Sequence, residues 1–185
     1  ASTLPLQDIL VPDGVFTAFG PGLAQQYEAQ GGDLAAIEVV DLGGKLVCPP
    51  FCDTHLHLDY VFTARKPGAV NESGTLFEGI QRWSETKSDL TVDEIKQRAK
   101  IGIKKEMLHG VQLIRSHADV TDPNLTSLKA LLELKEELKD TVTLQIVSFP
   151  QEGMYSYEGP HGESGAELVE EGLKMGADCV GGIPH

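Results

Sequence analysis

From residue 51 onward, apolar positions follow two alternating rhythms. Short apolar runs of strand length alternate with longer stretches in which apolar residues return every three or four positions, the spacing of one helix face. The pattern predicts a strand from Phe51 to Leu58 and a helix starting near Leu76 that covers Phe77, Ile80 and Trp83. Thr91, with Glu94 three residues on, has the capping-box signature of a second helix. Its Ile95, Ala99, Ile103 and Met107 lie on one face, and Gly110 stands where a C-cap glycine ends a helix. Further strands are predicted from Val111 to Ala118, Val142 to Phe149 and Cys179 to Ile183. Between them, Asp122 before Pro123 predicts an N-cap with proline at the first helical position. That helix is expected to bury Leu128, Leu131, Leu132 and Leu138. Ser164 and Glu167 form another capping box, opening a helix through Gly172 to Lys174.

The later strands are spaced by about one βα unit each. Their interiors (LIRSHA, LQIVSF, CVGGI) are largely apolar, as in strands covered on both faces. A parallel α/β protein follows. The first 45 residues read differently. They are short strands and turns, punctuated by Gly14, Gly20-Pro21-Gly22, Gly31-Gly32 and Gly43-Gly44, with a weak helix signal from Leu23 to Ala29. Periodic apolar residues are too few there for an independent domain.

Composition narrows the function. The 185 residues, 41% hydrophobic and 23% charged, suffice for one substantial core. The net charge of -13 argues against nucleic-acid binding, because a phosphate backbone selects Lys and Arg. Its simplest consequence is solubility. No apolar run reaches the roughly 18 residues of a membrane span, and Ala1 to Pro12 has no basic stretch before an apolar core. A cytoplasmic protein without membrane contact is expected. Cys48, Cys52 and Cys179 are an odd set, so no disulfide framework is implied. P-loop, G-x-G-x-x-G and G-x-S-x-G patterns are absent.

Polar residues cluster where the predicted strands end, which is where a (β/α) barrel carries its active site. The first strand ends with His55 and His57, the second with His117 and Asp119, the third runs into Gln151 and Glu152, and the fourth reaches His185. Side chains two apart on a strand share a face, so His55 and His57 can bind one metal ion. The alternative is a pair of packed strand histidines. His117 reads either as a further site residue or as a buried histidine bonded to backbone. Asp119 either caps the following loop or orients a site histidine. Gln151 is a loop residue whose amide can both donate to and accept from an amide edge. His109 and His161 read as solvated, and Trp83 as core. Cys48 and Cys52 before the histidines match structural zinc spacing poorly. The H-x-E and P-C-x-x-C of the zinc nucleotide deaminases are missing.

The stretch LVCPPFCDTHLHLD, Leu46 to Asp59, resembles the metal-binding first strand of the amidohydrolase superfamily. Pro50-Phe51 stands where many members have proline-glycine. The likeness is greatest to bacterial-type cytosine deaminases. It continues in order through SGTLFEGIQRW (Ser73 to Trp83), KQRA (Lys96 to Ala99), SHADV (Ser116 to Val120), LQIVSFPQEG (Leu144 to Gly153) and GADCVGGIPH (Gly176 to His185). The GPHGESG loop, Gly159 to Gly165, is longer than its counterpart and marks a place where substrate preference can differ.

The resemblance implies the first half of a TIM barrel over residues 49–185 and part of a small β-sandwich over 1–48. It implies one divalent metal ion, iron or zinc, that activates water for attack on a ring carbon bearing an amino group, releasing ammonia. His55 and His57 are implied as metal ligands. Gln151 is implied as a hydrogen-bonding residue for the pyrimidine edge, and Leu76 as a pocket wall or backbone contact. His117, Asp119 and His185 are strand-end neighbours. The remaining ligands and the proton-transfer groups are expected in later strands, so these 185 residues alone are expected to be inactive. The expected partner is a small nucleobase-like substrate, with a homo-oligomer at full length. Two other readings stay open: an amidohydrolase acting on a cyclic amide or triazine, and a non-catalytic half-barrel.

Overall fold

The computed structural model describes residues 5–122 and 124–183. The chain divides into two compact units, Ala1–Cys48 and Pro49–His185. In the first, β1 (Asp8–Leu10) pairs antiparallel with β2 (Ala18–Gly20), and α1 (Leu23–Ala29) follows. The Asp8 carboxylate accepts from the Leu23 N–H at 2.9 Å, tying strand to helix start. None of the described residues of this unit is buried.

The second unit holds a four-stranded parallel sheet in chain order: β3 (Phe51–Leu56), β4 (Val111–Asp119), β5 (Thr143–Phe149) and β6 (Cys179–Val180). Four helices connect them: α2 (Leu76–Lys87), α3 (Val92–Leu108), α4 (Thr126–Glu137) and α5 (Gly165–Met175). Thr75 and Thr91 cap α2 and α3 by accepting from the N–H groups of Glu78 and Glu94. At Thr91 the predicted box is half formed, because the Glu94 carboxylate turns to Lys66 at 2.5 Å. At α5 both halves of the Ser164–Glu167 box are present.

The start of α4 departs from expectation. Leu125, with φ 50°, occupies the cap position, and the helix begins at Thr126. Asp122 reaches forward instead, accepting from Asn124 N–H at 3.1 Å and Thr126 N–H at 2.6 Å. It serves the free N–H groups of the first turn from outside the helix. Pro123 lies outside the described residues. The buried stripe of α4 is Leu128, Leu131 and Leu134, all fully buried, whereas Leu132 and Leu138 are only partly so. Each such leucine stabilises the fold by about 1.5–3 kcal/mol relative to an exposed one.

The helices cover one face of the sheet. Ile114, Ser116 and Ala118 on β4 lie level with Leu144, Ile146 and Ser148 on β5, and all six are buried. Ser148 Oγ donates to Val169 O on α5 at 3.2 Å. On the other side the cover is uneven: Val147 and Phe149 are buried towards the C-terminal end of β5. Leu113 and Arg115 on that side are exposed and Arg115 Nε donates to its register partner Gln145 at 2.6 Å. Strand ends also differ: β3 stops at Leu56 and β6 at Val180. No helix among the described residues is long and apolar enough to cross a membrane.

Candidate metal centre and active site

The end of β3 is shaped by an irregularity in its pairing with β4. Asp53 lies level with Ile114, but Leu56 with Ser116, so three steps on one strand match two on the other. Such a bulge re-aims the side chains beyond it. Asp53 Oδ1 takes up the His55 N–H at 3.0 Å within this stretch. Leu58 N–H then donates to Ser116 Oγ at 3.0 Å. Arg98 on α3 donates to the carbonyls of Asp59 and Val61. The segment carrying His57 is thereby fixed from two sides.

His55, His57 and His117 come together at the C-terminal ends of β3 and β4, each offering a ring nitrogen within 4.8 Å of the others. His55 and His117 stack with centroids 4.1 Å apart, and His57 stands 5.3 Å from each. Tyr60 stacks on His57 at 4.6 Å and in turn meets Trp83 at 4.6 Å. Phe149 presents its ring edge-on to both His57 and His117. Burial, reinforced by repulsion from His117 and His55, pushes the His57 imidazole down to about 4. Burial and then His55 lower His117 as well. Both shifts favour the neutral imidazole, the form that can ligate a metal. His57 Nδ1 and His117 Nδ1 are buried without a hydrogen-bond partner among the described residues. Unpaired buried ring nitrogens on neutral imidazoles fit a bound zinc or iron ion.

Behind the histidines lies a buried polar network. Asp59, fully buried, stands 4.0 Å from His57 Nδ1 and accepts from the Asp119 N–H at 2.9 Å. Burial pushes its carboxyl up to about 7. The Asp119 carboxylate, also fully buried, gathers Trp83 Nε1 (2.7 Å), Lys87 Nζ (3.0 Å), Thr121 N–H (2.8 Å), Thr121 Oγ1 (2.6 Å) and Gln151 N–H (3.3 Å). Lys87 Nζ also donates to Thr121 Oγ1 at 3.1 Å and Glu152 at 2.5 Å. Burial works against its charge, but Asp119 and Glu152 outweigh that and raise its pKa.

Of the residues singled out in the sequence, the structure joins His55, His57 and His117 in one cluster. Asp119 does cap the turn after β4, through Thr121, and makes no hydrogen bond to a histidine among the described contacts. Gln151 is buried just after β5, and Leu76 is exposed at the first turn of α2. No hydrogen bond or ring contact among the described residues joins either side chain to the histidines. His185 lies outside the described residues. His161 is exposed, and His109 Nδ1 pairs with Lys105 O at 2.8 Å. Sequence reasoning passed over Asp59, Tyr60 and Lys87. The signal was there: Lys87 follows Trp83 by one helical turn, and Asp59 continues the parity of His55 and His57.

Three histidines placed to hold a metal ion at the C-terminal ends of parallel β/α strands are the kind of site a metal-dependent hydrolase of the amidohydrolase type would carry, and the match to known proteins agrees. The Amidohydrolase family model covers residues 38–185, and the chain belongs to that family. Among similar proteins is the N-isopropylammelide isopropyl amidohydrolase of Pseudomonas sp. (strain ADP). It is 35% identical over 148 residues, 78% of this chain and 36% of the relative. The pterin deaminase of Rhizobium rhizogenes is 27% identical over 80% of this chain and 32% of its own length. Among solved structures, 5-methylcytosine deaminase from Klebsiella pneumoniae, liganded with phosphonocytosine, superposes with a TM-score of 0.78 at 41% identity. That match covers 100% of this chain and 42% of the other. The chain thus spans roughly a third to two fifths of the length of these relatives.

Proposed function

We propose that this chain supplies the first metal-binding residues and part of the substrate pocket of a hydrolytic deaminase for cytosine, 5-methylcytosine or a related amino-heterocycle. The three-imidazole cluster of His55, His57 and His117 carries this reading. The 41% identity to 5-methylcytosine deaminase supports the substrate class. His55 and His57 hold the divalent ion, iron or zinc, and His117 is the third imidazole of the set. When bound, such an ion supplies Lewis-acid chemistry and makes water a competent nucleophile near neutral pH. Water adds its oxygen to the ring carbon, the exocyclic C–N bond breaks, and the amino group leaves as ammonia. Tyr60 and Phe149 pack around His57 and keep its ring in place. Gln151 has the donor and acceptor needed to read a pyrimidine amide edge, and Leu76 contributes a wall or a backbone contact. The substrate is small and nucleobase-like.

The test is ammonia release from cytosine and 5-methylcytosine by the intact protein carrying this chain, with metal content measured on the same sample. His55→Ala and His57→Ala should each abolish bound metal and lower kcat/KM by about 100-fold or more. Turnover of N-isopropylammelide with no ammonia from either pyrimidine would replace this reading with a different amidohydrolase activity. A protein that neither binds metal nor turns over any of the three compounds would sink the enzymatic reading altogether.

A further inference from the structure

The mechanism so far leaves one buried cation without a task. Lys87 is 6% exposed, sits on α2, and reaches across to the ends of β4 and β5. Its two carboxylate partners differ in setting. Asp119 is completely buried at the end of β4, and Glu152 is 28% exposed in the turn after β5. Glu152 also takes a hydrogen bond from Ser84 Oγ at 2.9 Å. The residue between these anchors is Gln151, whose N–H rests on the same Asp119 carboxylate that Lys87 holds. Asp119 is connected in the other direction to the metal cluster, because its N–H is held by Asp59, the neighbour of His57.

A buried ion pair is a poor way to gain stability, since desolvation offsets most of the attraction and an apolar replacement often does as well. What it does supply is a fixed position. Removing the ammonium would leave Asp119 with its four other donor contacts, but would free Glu152 from α2 except for Ser84. The turn that carries Gln151 would then keep only the Gln151 N–H on Asp119 and the single Ser84 hydroxyl on Glu152 out of this network.

We propose that Lys87, acting through Asp119 and Glu152, is a positioning residue for Gln151: it fixes the turn after β5 so that the Gln151 amide stands at a set place relative to the histidines. The inference rests on the reading of the site as an amino-heterocycle deaminase in which Gln151 touches substrate. Lys87 itself touches neither substrate nor metal. Lys87 ends α2 and its partners are Asp119 at the end of β4, Thr121 just beyond it and Glu152 in the turn after β5, so it joins α2 to the turn that carries Gln151.

The test is a double-mutant cycle in the intact protein carrying this chain, using Lys87→Met and Gln151→Ala with cytosine as substrate. Lys87→Met should raise KM about tenfold while changing kcat less than about threefold, because a displaced binding group mainly weakens substrate binding. Metal content should stay at the parental level, since the histidines sit on β3 and β4. In the Gln151→Ala background the same substitution should change KM by less than about twofold, because residues acting through one another are not additive. A merely structural lysine would give equal effects in both backgrounds, and that result overturns the proposal. So does a KM change below twofold in the parent. If Lys87→Met does not accumulate as folded protein, Trp83→Phe and Thr121→Val carry the same cycle, each removing another donor from Asp119, with a smaller effect in the same direction. A parent that releases no ammonia from cytosine or 5-methylcytosine overturns the deaminase reading and this inference with it. An active parent with additive effects overturns the inference alone.

Discussion

Gly181→Ala should weaken the metal binding proposed for the histidine cluster without replacing any of its three residues. Gly181 follows β6, donates its N–H to Ser148 O at 3.0 Å, and does not use a left-handed backbone. Alanine is therefore acceptable to the backbone, and only space is at issue. A Cβ at this position would lie 2.7 Å from Val147 Cγ1, 2.9 Å from Phe149 Cδ2 and 3.5 Å from His117 Cδ2. To restore ordinary contact, Val147 must retreat by about 0.7 Å and Phe149 by about 0.5 Å. Both are nearly fully buried, so neither can swing into solvent. Phe149 stands edge-on to His57 and His117 at 5.4 and 5.3 Å, so its displacement is passed to both rings. Overpacking of this kind costs about 1–3 kcal/mol. Disturbing the surroundings of metal-binding histidines weakens affinity about 10–100-fold, and the small shift here places the loss near the lower end. Zinc affinity by chelator competition, with urea unfolding alongside, measures both. Gly182→Ala is the control, because nothing lies within 4 Å of a Cβ there. An alanine at 181 that binds zinc within about twofold of the parent and unfolds at the same urea concentration would refute the packing argument.

Two further outcomes follow from other parts of the chain. Ser164→Ala removes the hydroxyl that accepts from Glu167 N–H and dismantles the capping box of α5, so urea unfolding should show a loss of about 1 kcal/mol; no loss would mean that water serves the helix end equally well. The Glu78 carboxyl is pulled from 4.5 down to about 2 by the Ser73 hydroxyl and by the N–H groups of Ser73 and Glu72. A carboxyl depressed on folding contributes stability above 4.5 that is lost as pH falls toward 2. Glu78→Gln should therefore flatten the fall in urea midpoint across that window, and an unchanged slope would contradict the assignment.

The sequence by itself determined the order of strands and helices, because those signals are local. Thr91 and Ser164 mark helix starts through bonds to residues three positions on, and Ile95, Ala99 and Ile103 define a face by spacing alone. The shared side of His55 and His57 was likewise readable from strand parity. The α4 stripe is less legible: Leu134 is buried and Leu132 only partly so, since several leucines fit a helix period and the neighbouring elements choose among them. The N-cap of α4 falls at Leu125, three residues beyond Asp122, because the backbone at Leu125 takes a left-handed turn that no local residue announces.

Only the tertiary structure decided which face of the sheet the helices cover, and hence that Arg115 and Gln145 face away from them while Ser116 and Ser148 are buried. It alone brought His117 against His55, since the pairing of β4 with β3 sets that distance. It alone made Lys87 a buried cation, by placing the carboxylates of Asp119 and Glu152 around a lysine that the sequence shows as one more polar residue on a helix. The physical reason is the same in each case. Helix caps and strand parity involve residues a few positions apart, whereas the charge state, burial and reach of a site residue depend on groups that meet only when distant strands align.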